Sequence, residues 1–166
     1  RTSVLPEDFD KDRWIINTPS GILDLKNGQL LPHSPKAMLS KITAAEYSDK
    51  ADCPLWQQFL QDIFDNDDEL IRYIQKAVGY SLSGSTQEQC MFILLGNGRN
   101  GKSTFLDVIS DIFGDYAVNI QPETIMVKKT SNTANSDIAR LKSARFVTTV
   151  EPNDGVRLNE GLVKQL

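Results

Sequence analysis

The sequence predicts an α/β fold built around one strand–loop–helix unit, preceded by a smaller, mostly helical region with short strands. Three observations carry that reading. Residues 90–95 form an unbroken apolar run, Cys90-Met91-Phe92-Ile93-Leu94-Leu95, as a strand buried on both faces requires. Residues 96–104 are a glycine-rich loop. Behind it Phe105, Leu106, Val108, Ile109, Ile112 and Phe113 recur at helical spacing up to Gly114, a helix stop.

The loop reads Gly96-Asn97-Gly98-Arg99-Asn100-Gly101-Lys102-Ser103-Thr104, which is the phosphate-binding pattern G-x-x-x-x-G-K-[ST]. Gly96, Gly98 and Gly101 are expected to let the backbone turn tightly, so that successive N–H groups point into a concave anion site. Lys102 then reaches the β- and γ-phosphates, and the Ser103 hydroxyl can ligate Mg²⁺. The helix beginning near Lys102 adds its positive N-terminal end. The pattern predicts a nucleoside triphosphate as ligand and a phosphate-loop nucleoside triphosphatase core as the fold.

Ahead of the loop, Trp14-Ile15-Ile16, Gly21-Ile22-Leu23-Asp24-Leu25 and Gln29-Leu30-Leu31 read as short strands, with Lys26-Asn27-Gly28 as a hairpin turn. Residues 32–53 look irregular. Pro54 marks the first turn of a helix capped by Asp52 or Cys53, with Leu55, Trp56, Phe59, Leu60, Ile63 and Phe64 as one apolar stripe. A second helix starts at Asp67 or Asp68, turns Leu70, Ile71, Ile74 and Val78 inward, and is expected to stop at Gly79. The acids Asp65, Asp67, Asp68 and Glu69 lack the glycine and distal glutamate of a calcium loop, and acids suit a helix start. His33 is a lone histidine in a proline-rich loop and receives no role.

Residues 81–86 are small and polar and read as a linker, which divides the chain into 1–85 and 86–166. Past the central helix come a strand at 117–120, a polar stretch at 128–135, a short helix near 136–141 and a strand from Phe146 to Val150 that ends in Glu151. Hydrolysis needs an acid opposite the phosphate loop, and Glu151 has the place for it. The sequence pattern alone leaves two readings open, that carboxylate role and a plain strand exit before Pro152.

Length and composition set the bounds. The chain has 166 residues, 40% hydrophobic and 24% charged, as in globular proteins of water. It has no run long enough for a membrane helix and no signal-peptide pattern. Cys53 and Cys90 lack metal spacing, which points to unpaired thiols in a reduced, cytoplasmic setting. A net charge of −4 does not mark the whole chain as a nucleic-acid binder. Lys128, Lys129, Arg140, Lys142, Arg145, Arg157 and Lys164 gather in the second half and, taken singly, read as solvated surface. The chain opens on Arg1 and stops within the amphipathic stretch Leu158, Leu162, Leu166, so a piece of a longer protein is expected.

An ordered set of motifs resembles a known family. Trp14-Ile15-Ile16, Gly21 to Leu25, Gly28-Gln29-Leu30-Leu31-Pro32-His33-Ser34-Pro35, Cys53-Pro54 and Gly79-Tyr80-Ser81-Leu82-Ser83-Gly84 resemble the domain preceding the helicase in phage and plasmid primase-helicases of the poxvirus type. The loop with Asn100 before Gly101-Lys102 is similar to the Walker A form of superfamily 3 helicases. Ala144-Arg145-Phe146 through Glu151-Pro152, then Leu158 to Leu166, is similar to their Walker B region and the start of the next segment. The resemblance implies an AAA+-like, superfamily 3 core, incomplete on its C-terminal side, within an ATP-driven, ring-forming (hexameric) DNA helicase of a phage, prophage or plasmid. It implies that Lys102, Ser103 and Glu151 carry ATP and Mg²⁺, that Thr104 helps close the site, and that a primase domain is a candidate neighbour. Lys164 falls at the start of the segment leading into the family's DNA-facing hairpin and is the named DNA-contact candidate. The family often pairs acids in Walker B, whereas here Pro152 follows Glu151 and the next acid is Asp154. Its sensor asparagine and arginine finger are expected downstream of Leu166, so this piece alone should not unwind DNA. Two other readings stand beside the helicase: a phosphotransferase acting on a small molecule, and a non-catalytic nucleotide-binding assembly module.

Overall fold

The computed structural model describes residues 4–127, 136–150 and 157–165. It is a mixed α/β chain with two small sheets. The first is an antiparallel meander of β1 (Ile15–Thr18), β2 (Gly21–Asp24) and β3 (Leu30–Leu31). The β2–β3 turn forms as its sequence directs: Asp24 accepts the N–H groups of Lys26 and Gly28, and Gly28 sits at φ +73°.

Two helices come next. α1 (Pro54–Ile63) starts on its proline with Cys53 as N-cap. It buries Leu60 in the core and packs Trp56, Phe59, Ile63 and the C-cap Phe64 against the same cluster. Leu55, expected in the same stripe, instead stands 86% exposed, because a first-turn residue one position from Trp56 lies about 100° away around the helix. α2 (Asp68–Ser83) is capped by the Asp67 carboxylate, which accepts from the N–H groups of Glu69 and Leu70. It runs straight through Gly79 and ends at Gly84, which takes the left-handed C-cap at φ +62°. On the part beyond Gly79, Leu82 packs against the core as Val78 does before it, and that burial outweighs the roughly 1 kcal/mol cost of a helical glycine. The expected linker at 81–86 is therefore half helix. Leu70, expected inward, is exposed.

Residues 90–95 form no strand and, Leu94 apart, are exposed. This corrects the expectation of a buried strand: a strand needs a neighbour to pair its N–H and C=O groups, and no described residue supplies one. α3 (Lys102–Phe113) matches its sequence pattern, with Phe105, Ile109 and Phe113 buried and Gly114 as C-cap. The second sheet pairs β4 (Ala117–Asn119) in parallel with β5 (Phe146–Thr148), in the register Val118 to Val147. The sequence predicts β5 as a central strand reaching residue 150. It has only β4 beside it among the described residues, and Val147 and Val150 are exposed. α4 (Ser136–Arg140) lies in the crossover, and α5 (Glu160–Val163) comes after an isolated bridge between Met126 and Leu158. The polar stretch 128–135, with Lys128 and Lys129, and the segment 151–156, with Glu151, Pro152 and Asp154, lie outside the described residues.

One apolar cluster holds these parts together. Ile16 and Leu23 of the first sheet, Leu60 of α1, Phe105, Ile109 and Phe113 of α3, and Tyr116 are its buried members. It draws on both sides of residue 85.

Candidate nucleotide site

The loop 96–101 runs from the exposed segment 90–95 into α3. Its turn uses positive φ at Gly96 (+151°), Arg99 (+62°) and Gly101 (+83°). Gly98, expected to share that task, keeps negative φ, with open space where a side chain would go. Arg99 takes the left-handed position in its place. A side chain at Gly96 would collide with the Asn100 amide nitrogen. Gly101 is both left-handed and crowded.

The loop closes on its own lysine. The Lys102 Nζ donates to Gly96 O at 2.7 Å, to Asn97 O at 3.3 Å and to Asn100 Oδ1 at 2.9 Å. These use the ammonium's three donors and hold the charge against the loop's own oxygens. Gly101 is the N-cap of α3 and no side chain caps it, so the N–H groups of the first turn are not taken by a capping oxygen. Ser103 and Thr104 are exposed on that turn, and Asn97, Gly98, Arg99 and Asn100 are exposed around it. A fixed cation, an uncapped helix N-terminus and glycines whose positions exclude side chains together suit a polyanion such as a phosphate chain. Ser103, on α3 next to Lys102, offers the hydroxyl oxygen that a phosphate-bound Mg²⁺ needs.

Glu151 lies outside the described residues. β5, from which the chain runs to it, packs against α3 through Phe146, whose ring is 5.1 Å from that of Phe113. Lys164 is exposed at the C-cap of α5. The His33 Nδ1 is engaged with Asn17 Oδ1 at 3.1 Å. The cysteines are free and exposed. Among the described residues no group of His, Cys, Asp and Glu could hold a metal, and no helix is long and apolar enough to cross a membrane.

Two contributions escaped the sequence. Arg145, which reads from sequence as a solvated surface charge, is largely buried. It donates to Leu82 O (2.8 Å), Ile15 O (2.7 Å) and Asp12 O (3.3 Å). Burial pulls its pKa down from the usual arginine range. The other is α1, whose Phe59 and Ile63 back the loop at Gly101. The stripe Trp56, Phe59, Ile63 was legible as buried, but a stripe does not say which surface it meets.

Residues 1–65 match the family model described as D5 N terminal like. Across 161 residues, 94% of the chain, the sequence is 26% identical to a helicase-named protein of Acanthamoeba polyphaga mimivirus, of which the matched part is 17%. Across 97 residues, 57% of the chain, it is 26% identical to a helicase-named protein of Frog virus 3 (isolate Goorha), of which the matched part is 10%. The chain thus spans about a sixth or less of the length of these relatives.

Proposed function

We propose that this chain carries the nucleoside-triphosphate-binding part of a DNA helicase of the superfamily 3 type. In this reading ATP is bound by Gly96 to Thr104, with Mg²⁺ shared by Ser103 and Glu151. The observation that carries it is the Lys102 ammonium, held by Gly96 O, Asn97 O and Asn100 Oδ1 at the uncapped start of α3. A lysine so placed can exchange loop acceptors for phosphate oxygens without moving its backbone. The helicase-named relatives and the match of residues 1–65 supply the motor context. The longer protein is then a homo-oligomeric ring, a hexamer, acting on DNA in the cytoplasm of the host cell of a phage, prophage or plasmid. Exposed Lys164 is proposed as a backbone contact to DNA, and residues 1–85 as a region that positions the core at 86–166.

The test is Lys102→Ala in the full-length protein, with ATPγS affinity and DNA-stimulated ATPase as readouts. Affinity should fall at least tenfold and hydrolysis should vanish, while the melting temperature moves little because Lys102 is not a core residue. Unchanged turnover would remove the phosphate-loop assignment. Nucleotide binding without any hydrolysis by the wild-type full-length protein would favour the assembly-module reading.

A further inference from the structure

α1 belongs to the N-terminal region, yet its inner face ends on the loop. A Cβ built on Gly101 would stand 2.7 Å from the Ile63 Cγ2 methyl and 3.3 Å from Cε2 and Cζ of Phe59. Earlier on the same helix Trp56 stacks on Phe105 of α3, with ring centroids 5.7 Å apart and planes 19° apart, and on Phe59 at 5.3 Å. The Phe105 N–H donates to Gly101 O at 2.9 Å. One apolar wall from α1 therefore backs both the last glycine of the loop and the first turn bonded to it.

Gly101 needs such a wall. At φ +83° only glycine is comfortable, but glycine also has the most backbone freedom to lose on being fixed. The loop segment before it is exposed and contributes no packing to hold that geometry.

We propose that Phe59 and Ile63 are positioning residues for the phosphate site. They hold Gly101 in its left-handed conformation, and so aim the N–H groups of the first turn of α3 and the root of the Lys102 side chain. Neither touches the ligand. Their effect is preorganisation: a loop already fixed spares the ligand the entropic cost of ordering it. The inference rests on the triphosphate reading, and it gives the N-terminal region a defined part in nucleotide binding.

The experiment compares Ile63→Ala and Phe59→Ala with Leu60→Ala in the full-length protein. Leu60 lies on the same helix, is only 3% exposed and is not among the atoms nearest Gly101. It is therefore a control for lost core packing without lost loop support. ATPγS affinity is read by titration, and amide hydrogen exchange across residues 97–104 is read without nucleotide, both well below each variant's melting temperature. Ile63→Ala and Phe59→Ala should each weaken ATPγS at least fivefold and speed exchange in the loop, while Leu60→Ala lowers the melting temperature and leaves both readouts near wild type. Ile63→Val, which keeps the Cγ2 methyl, should behave as wild type. If an alanine variant does not fold, Phe59→Leu takes its place, since it removes the ring edge facing Gly101 and keeps apolar bulk. Unchanged loop exchange and affinity in the Ile63 and Phe59 variants would overturn the proposal, as would equal losses in Leu60→Ala. Wild-type protein that does not bind ATPγS would overturn the triphosphate reading instead, and the exchange comparison would still decide whether α1 holds the loop.

Discussion

The guanidinium of Arg145 lies 5.0 Å over the ring of Tyr116 and ties the chain together at three main-chain carbonyls, those of Leu82, Ile15 and Asp12. Backbone pairing continues the contact, because the Arg145 N–H donates to Tyr116 O at 2.8 Å just before β4 and β5 come into register. The cation faces the C-terminal end of α2, where helix carbonyls favour positive charge. Arg145→Leu should therefore lose roughly 2–3 kcal/mol, since it strands polar acceptors in a half-buried place. Arg145→Lys should recover less than half of that, because one ammonium cannot fork across carbonyls on separate segments. Urea denaturation of the three proteins checks the order. A lysine variant as stable as wild type would show that the fork contributes nothing.

Tyr116 makes a prediction about alkali. Its side chain is 0% exposed, accepts from the Asn17 N–H at 3.2 Å and donates to Lys41 O at 3.1 Å. Burial, the largest cause, raises its pKa above the ordinary value, which is near 10. The native state then holds one more proton than the unfolded chain between that value and its own raised pKa. Its stabilising share is complete below about pH 10 and is lost as pH climbs through the native pKa. Tyr116→Phe should be less stable at pH 8, by about 1 kcal/mol for the lost hydrogen bonds, and should show a flatter decline from about pH 9.5 upward. Denaturant midpoints at half-unit pH steps would show parallel declines if Tyr116 is not the titrating group.

Two glycines should answer alanine with opposite signs. Gly79 is inside α2 with nothing within 4 Å of a built Cβ. Gly79→Ala should therefore stabilise the protein by about 0.5–1 kcal/mol. Gly114, the C-cap of α3, has φ +55°, and its Cβ would meet Ala44 N at 2.6 Å and Ile42 O at 2.9 Å. Gly114→Ala should cost about 2 kcal/mol or more, since conformation and space both oppose it. Thermal melts of the pair give the comparison directly.

Glu151 is assigned by sequence position alone, and mutagenesis can decide it. Glu151→Gln keeps size and removes charge, so in the full-length protein ATPγS should bind within about threefold of wild type while turnover falls by about a hundredfold or more. Normal turnover would leave Glu151 as a strand exit and move attention to Asp154.

Legibility from sequence tracks the range of the interactions. Elements fixed by neighbours in the chain are readable there: the hairpin at Asp24 to Gln29, the start of α1 at Pro54, the start of α2 near Asp68 and the stop of α3 at Gly114. Features fixed by distant partners are not. α2 runs past Gly79 because Leu82 finds the core. Arg145 is largely covered because residues 12, 15 and 82 converge on it. The phosphate-loop pattern is plain, yet nothing in it discloses that α1 stands behind Gly101, or that Arg99 and not Gly98 takes the left-handed turn.

The segment before the loop has a practical consequence of another kind. Ile93 and Leu95 are 67% and 86% exposed in a stretch without charge or proline. An exposed apolar hexamer with no strand partner among the described residues is the kind of segment on which identical copies stack as cross-β ribbons. Concentration thus becomes a variable of the chain's behaviour. These six residues, and not the acidic remainder, are expected to set the concentration at which the chain leaves solution.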